Sequence, residues 1–222
     1  MNNTPHTNCL TLRLLHAAKG YKAVAFDIFD TLLKRDCARP ADLFALMEAT
    51  HQAALGFAEA RVAAEAETRQ TLGREVTLAE IYAHPALRGT DPAAECAAEL
   101  AMIAPNRPVA QAAAACHARG QKVYAVSDMY LPKEQIEAML QKCGLDFLDG
   151  VFVSCEYRVQ KRSGKLFKLF LQQTALRPAE VLFVGDSPRA DFAGAALAGI
   201  RCFLLPQPTP LPYTKTPADA VG

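Results

Sequence analysis

Residues 23–33 read AVAFDIFDTLL, so two aspartates, Asp27 and Asp30, followed by Thr31, interrupt a run that is otherwise apolar. Two later apolar runs also end in polar groups, Ser127 and Asp128 in one, Gly185, Asp186 and Ser187 in the other. Carboxylates brought together from separate strands, Asp27 from the first and Asp186 from the last of these, repel each other and raise a pKa unless a cation sits between them. Magnesium suits such a place, because it takes a few carboxylate or carbonyl oxygens plus water and lets a substrate phosphate complete its octahedron. The Ser127 hydroxyl, followed by a helix N-terminus, is a plausible anion cradle. A lysine must then neutralise charge on the group being transferred, and VQKRSGKLF offers Lys161 and Lys165.

These groups need elements that aim them at one place. Five short apolar runs have the composition of buried strands: 22–29, 122–128, 150–155, 180–186 and 200–205. Their continuity suits a sheet covered on both faces. Helical patterns lie between them. After Pro132, Ile136, Met139, Leu140 and Cys143 recur at helical spacing until Gly144; Leu166, Phe167, Phe170 and Leu171 make a second stripe, and Phe192, Ala195 and Ala196 a third that ends at Gly199. The expected fold class is therefore α/β, a doubly wound parallel sheet, whose strand ends converge where such sheets bind ligands. Residues 36–105, rich in alanine and broken by Pro40, Gly56, Gly73, Pro85, Pro92 and Pro105, read as a small helical cap inserted after the first strand. That leaves 20–35 and 106–206 for the core, 1–19 as an N-terminal segment and 207–222 as a loosely held tail.

Taken in order, FDIFDTLL, VSDMYLP, KRSGKLF and VGDSPRAD resemble the four motifs of the haloacid dehalogenase superfamily, spread over residues 26–191. The likeness is to a bacterial subgroup often found beside or fused to sugar-transferring and capsule-related enzymes. The resemblance implies a Rossmann-like core in which Asp27 is the carboxylate nucleophile, forming an aspartyl-phosphate from a small phosphorylated metabolite. It implies that Ser127, with Thr31 and Asp128 beside it, holds the phosphoryl oxygens, and that Lys161 is the third-motif lysine because Phe167 lies six residues on. Magnesium would be held by Asp27, the backbone carbonyl of Phe29 and Asp186, with Asp191 orienting Lys161 or the metal's waters.

Phe29 is a departure from the family's phosphatases, which usually carry there an aspartate that protonates the leaving group. Loss of such acid–base help is worth about 10²- to 10⁴-fold in rate. Asp30 stands where many relatives have glycine, either replacing that acid or serving as a turn residue. An aromatic at position 29 also occurs in the superfamily's metal-independent dehalogenases, though these usually lack the Gly185-Asp186 pair. A third reading is a catalytically weakened domain that binds a phosphorylated ligand or a partner.

Composition sets the remaining limits. A net charge of +1 over 222 residues gathers neither nucleic acid nor anionic lipid, so an anionic ligand must be held locally. Seven scattered cysteines without a C-x-x-C pair and five histidines without ligand spacing argue against disulfide and zinc frameworks. With no run long enough to span a bilayer, the chain is expected to be cytoplasmic. Arg35 and Arg39 stand near the expected mouth of the site, where basic residues either reach an anionic substrate or, more often, are simply solvated; Cys37 beside them is read as incidental, and Arg61, Glu65 and Arg69 are spaced as i,i+4 ion pairs that support a helix in preference to facing the substrate.

Overall fold

The computed structural model describes residues 9–37 and 39–206. Five parallel strands, β1 (Ala23–Phe26), β4 (Lys122–Ser127), β5 (Gly150–Val153), β6 (Val181–Gly185) and β7 (Arg201–Leu204), pair in the order β5-β4-β1-β6-β7. Ala23 is in register with both Lys122 and Val181, which puts β1 at the centre of the sheet. All four β1 residues are buried. Val24 and Phe26 pack with helices α6 (Arg107–Ala118) and α7 (Lys133–Lys142) through Val109, Ala112, Ile136 and Met139. Ala23 and Ala25 pack on the opposite face with Leu166, Phe167 and Phe170 of α9 (Lys165–Thr174). That two-sided burial is why the strands read as unbroken apolar runs.

The chain leaves the core after β1 through β2 (Leu33–Arg35) and returns through β3 (Ile103–Pro105), two short strands paired antiparallel. Between them lie α2 (Asp42–Ala49), α3 (Phe57–Leu72), α4 (Leu78–Tyr82) and α5 (Pro92–Met102), closed around Leu43, Phe44, Met47, Phe57, Val76, Ile81 and Leu87. Helix α3 runs from Gly56 to Gly73, both in the left-handed region, and Thr77 and Glu80 form a reciprocal capping box on α4.

Three features add to or depart from the sequence reading. The segment 1–19 contains a helix, α1 (Cys9–Ala17), whose Thr11 hydroxyl donates to the Pro108 carbonyl at 2.9 Å; residues 1–8 and the tail 207–222 lie outside the described residues. The third apolar stripe faces the core only at Ala195. A wide π-type turn over Pro188–Ala193, followed by α10 (Gly194–Leu197), leaves Phe192 and Ala196 exposed and buries Asp191 and Ala195. The expected i,i+4 pairs of Arg61 and Arg69 with Glu65 form at 3.1 and 2.9 Å, and Arg61, fully buried, also pairs with Glu95.

Candidate active site

The site lies beyond the carboxyl ends of β1, β4 and β6, where the sheet's connections part to opposite sides. Asp27 is the first residue past β1, held by a hydrogen bond from its amide to the Val184 carbonyl at 2.8 Å. The chain then turns sharply. Asp30 takes φ 58°, in the left-handed region that short polar side chains and glycine tolerate, which accounts for an aspartate at a position where glycine would also fit. Asn106, at the start of α6, ties this turn down by donating from its side-chain amide to the Thr31 carbonyl at 2.8 Å and from its backbone to Leu32.

The second contributor is the turn Lys161–Ser163. Lys161 is buried, and its ammonium lies 2.6 Å from Asp27 Oδ1 and 2.6 Å from Asp191 Oδ1. Two glycines permit this approach. A Cβ on Gly194 would fall 2.2 Å from the Lys161 carbonyl oxygen, and one on Gly185 would fall 2.3 Å from Asp191 Oδ2. The π-type turn sets Asp191 so that Oδ2 accepts from the amides of Asp186 and Ser187, both at 3.0 Å. Its other oxygen faces the Lys161 ammonium without an aligned hydrogen bond.

Carboxylates outnumber cations here. Carboxylate oxygens of Asp27, Asp186 and Asp191 lie within 4.8 Å of one another, with Lys161 the cation in contact. Burial, with the Asp191 and Asp186 charges adding to it, outweighs Lys161 and pushes the Asp27 carboxyl up to about 7. Burial acts to lower Lys161, but Asp27, Asp191 and Asp128 outweigh it and hold the ammonium above the usual lysine range. Burial also raises Asp128. An all-oxygen donor set with excess negative charge fits a small hard cation such as magnesium.

A cavity of about 300 Å³ opens onto this cluster. Asp27, Phe29, Ser127, Asp128, Lys161, Asp186 and Asp191 all border it, as does Asp30. Thr31, expected at the substrate, does not: it is fully buried, and its hydroxyl lies 3.4 Å from Asp186 Oδ1, so it faces the carboxylate rather than the cavity. Asp128 borders the cavity, yet its Oδ1 accepts from the Lys161 amide at 2.8 Å, fixing the turn that carries the lysine. Lys165 is exposed on another cleft altogether.

Two residues of the wall were not singled out as site residues from sequence. The Arg35 guanidinium stacks 4.0 Å over the Phe29 ring, held by Glu99 of α5 through bonds of 2.9 and 3.1 Å. Tyr130 reaches from the wall into the cap, with the Arg61 guanidinium 4.7 Å from its ring. Arg35 had the signal of standing eight residues past Asp27; nothing in sequence pairs Tyr130 with Arg61. Cys37 has its thiol raised by burial, which disfavours the reactive thiolate.

Comparison with known proteins gives a consistent grouping. The model of a haloacid dehalogenase-like hydrolase family matches residues 21–199. No curated protein matches the sequence. Among solved structures, a HAD phosphatase from Thermococcus onnurineus superposes with TM-score 0.60 at 20% identity, covering 88% of this chain and 91% of that one. The L-2-haloacid dehalogenase from Xanthobacter autotrophicus, with chloropropionic acid covalently bound, gives 0.55 at 24% identity over 82% and 76%. A HAD hydrolase from Bacillus subtilis bound to magnesium gives 0.57 at 18% identity over 82% and 87%.

Proposed function

The chain belongs to the haloacid dehalogenase-like hydrolases, and within that family we propose that it is a magnesium-dependent phosphatase acting on a small phosphorylated metabolite. The observation that carries this reading is the carboxylate excess at the cavity: Asp186 and Asp191 within 4.8 Å of Asp27, a donor set that a metal-independent ester chemistry does not need. Asp27 and Asp186, with the Phe29 carbonyl, would hold the cation, and Asp191 would fix Lys161 beside them. Magnesium, when bound, supplies the positive charge that keeps these carboxylates ionised and screens the phosphoryl oxygens.

The chain's own groups then divide the work. An Asp27 carboxylate oxygen forms the new bond to phosphorus as the bond from phosphorus to the leaving oxygen breaks. Lys161 and Ser127 hold the phosphoryl oxygens, and Asp128 holds Lys161 through its amide. No carboxylate stands at position 29, so the leaving oxygen takes its proton from water unless Asp30 swings in. Water then attacks the phosphorus, phosphate departs, and the Asp27 carboxylate is regenerated. The cap shields the cavity from bulk water and shapes it, with Arg35 positioned to receive an anionic part of the substrate.

Phe29 supports a second reading, dehalogenation, in which Asp27 forms an ester with a carbon centre and halide departs. Turnover of p-nitrophenyl phosphate with and without magnesium separates the two, because its leaving group needs little protonation. Magnesium-dependent release of p-nitrophenol that vanishes in Asp27→Asn supports the phosphatase. Halide release from a 2-haloacid without metal, and silence towards the phosphate ester, supports the dehalogenase. Silence in both, with magnesium and phosphate still bound, leaves the weakened binding domain.

A further inference from the structure

A second cleft, of about 660 Å³, opens where the cap meets the core and shares no wall residue with the catalytic cavity. Its wall comes from the end of α3 and the following turn on one side, and from residues 158–165 on the other. Five cations border it, Arg69, Arg74, Arg158, Arg162 and Lys165, against one carboxylate, Glu75. Glu75 is itself used up: Oε1 accepts from Arg69 at 2.9 Å and from Gln160, and Oε2 from the Ser154 hydroxyl at 3.1 Å.

Part of the positive charge is balanced from behind the wall. Glu65 pairs with Arg69 at 2.9 Å, and Glu80 pairs with both Arg74 and Arg158. Three carboxylates therefore serve three of the five cations, with Glu65 shared with Arg61, and the other two, Arg162 and Lys165, are exposed and make no ion pair among the described residues. The local backbone adds to this surplus. Lys165 is the first residue of α9, a ten-residue helix whose first turn has no acidic residue and whose N-cap, Gly164, offers no side-chain acceptor. A cation at a helix N-terminus is electrostatically unfavourable, and an anion there relieves it. Arg158 is held at φ 58°, a conformation an arginine rarely adopts, and its side chain pairs with Glu80 of α4.

We propose that this cleft is a binding site for a compact polyanion carrying adjacent phosphate or carboxylate groups, held chiefly by Arg162 and Lys165 with Arg69, Arg74 and Arg158 around it. Guanidinium groups in this number favour flat, bidentate acceptors of that kind. Among the described residues no aromatic side chain borders the cleft, so recognition falls on charge and not on a stacked base. Arg162 and Lys161 are neighbours on one short turn, the first facing the cleft and the second the catalytic cavity. An occupant of the cleft therefore bears directly on the turn that positions Lys161.

The inference stands apart from the catalytic reading, since the cleft can bind while turnover is absent, and the reverse. Its test is calorimetric titration of the full chain, in EDTA, with pyrophosphate and with citrate, comparing wild type with Arg162→Gln/Lys165→Gln and Arg162→Glu/Lys165→Glu. The expected result is one site in the wild type, weakened at least about 10-fold in the glutamine pair and more in the glutamate pair, as loss of charge-assisted bonds requires. Circular dichroism of all three proteins checks that they are folded, so that lost binding reports on the cleft and not on the fold. Preference for pyrophosphate over citrate, or the reverse, tells which acceptor the cleft favours. Equal binding in all three proteins would place the anion elsewhere and overturn the proposal, as would absence of binding to the wild type at millimolar concentration.

Discussion

The molecule buries charge in two places and treats it oppositely. In the cap, the Arg61 guanidinium donates to Glu95 at 2.6 and 2.8 Å and to Glu65 at 3.1 Å, while the Tyr82 hydroxyl donates to Glu95 at 2.8 Å. Rings of Phe44 and Tyr130 lie 4.8 and 4.7 Å from its centre. Each of the three guanidinium nitrogens has a carboxylate partner. At the catalytic cavity one ammonium faces several carboxylates, Asp191 Oδ1 lacks an aligned hydrogen bond, and Asp27 is pushed up to about 7. A cluster whose charges balance ties packed elements together, whereas one with surplus like charge and a strongly shifted carboxyl is a candidate functional site. The two clusters sit near each other through Tyr130, which borders the cavity and stacks on Arg61.

Removing the acidic partner should therefore have different consequences in the two places. Asp27→Asn is expected to lower turnover of p-nitrophenyl phosphate by roughly 10³-fold or more, as loss of a nucleophile does, with the protein still folded by circular dichroism. Turnover within tenfold of wild type would remove Asp27 from the reaction. Glu95→Ala leaves a fully buried guanidinium short of its carboxylate, and is expected to cost about 3–5 kcal/mol in urea unfolding. Replacing both partners, Arg61→Met with Glu95→Leu, should cost less than the single change. If Glu95→Ala costs under about 1 kcal/mol, the cap cluster does not hold the packing together in the way its geometry indicates.

The contrast also has a pH signature. An ordinary aspartate releases its proton near 3.8, whereas Asp27 in the folded chain holds it to about 7. Between those values the unfolded chain ionises and the folded one does not, so the folded state loses stability as pH rises from about 4 to about 7, and the loss is complete above. Metal-free wild type should thus lose thermal stability relative to Asp27→Asn across that window, a comparison in which the other titrating groups largely cancel. Magnesium should restore wild type and leave the variant less changed. A difference between the two that is flat with pH would mean that Asp27 is not held protonated in the fold.

How far the sequence discloses each region follows from the range of the interactions. Strands ending in Asp27, Ser127 and Asp186 are local patterns, and a parallel sheet brings such ends together by topology alone, so the core was legible. Lys161 was legible only through the resemblance; by residue type it was indistinguishable from Lys165, and what separates them is a turn admitted by Gly194. The Arg61–Glu65 pair is legible because it is local, whereas Glu95, which completes the buried cluster, lies 34 residues away. Phe192 was misplaced because helical periodicity assumes 3.6 residues per turn, and a π-type turn at 188–193 rotates the following side chains out of phase. Thr31 has the right type and spacing for a substrate ligand, but which way a hydroxyl faces depends on the packing of its neighbours.

The smallest expected effect concerns Asp30, the acidic residue beside the site that belongs to neither cluster. Its φ of 58° is one that glycine adopts without steric cost and aspartate only with some, so Asp30→Gly trades relief of that cost against a more flexible unfolded chain. The two terms oppose each other, and the net change in stability should stay within about 1 kcal/mol. For turnover the outcome separates two roles. If Asp30 is only the residue that makes the turn, Asp30→Gly keeps release of p-nitrophenol and hydrolysis of an alkyl phosphate within about threefold of wild type. If it supplies the proton missing at Phe29, hydrolysis of the alkyl phosphate, whose leaving group needs protonation, falls by about 10²-fold or more while p-nitrophenyl phosphate is spared. Its exposure and left-handed backbone favour the first outcome, and with it a site whose catalytic charge is confined to the unbalanced cluster around Lys161.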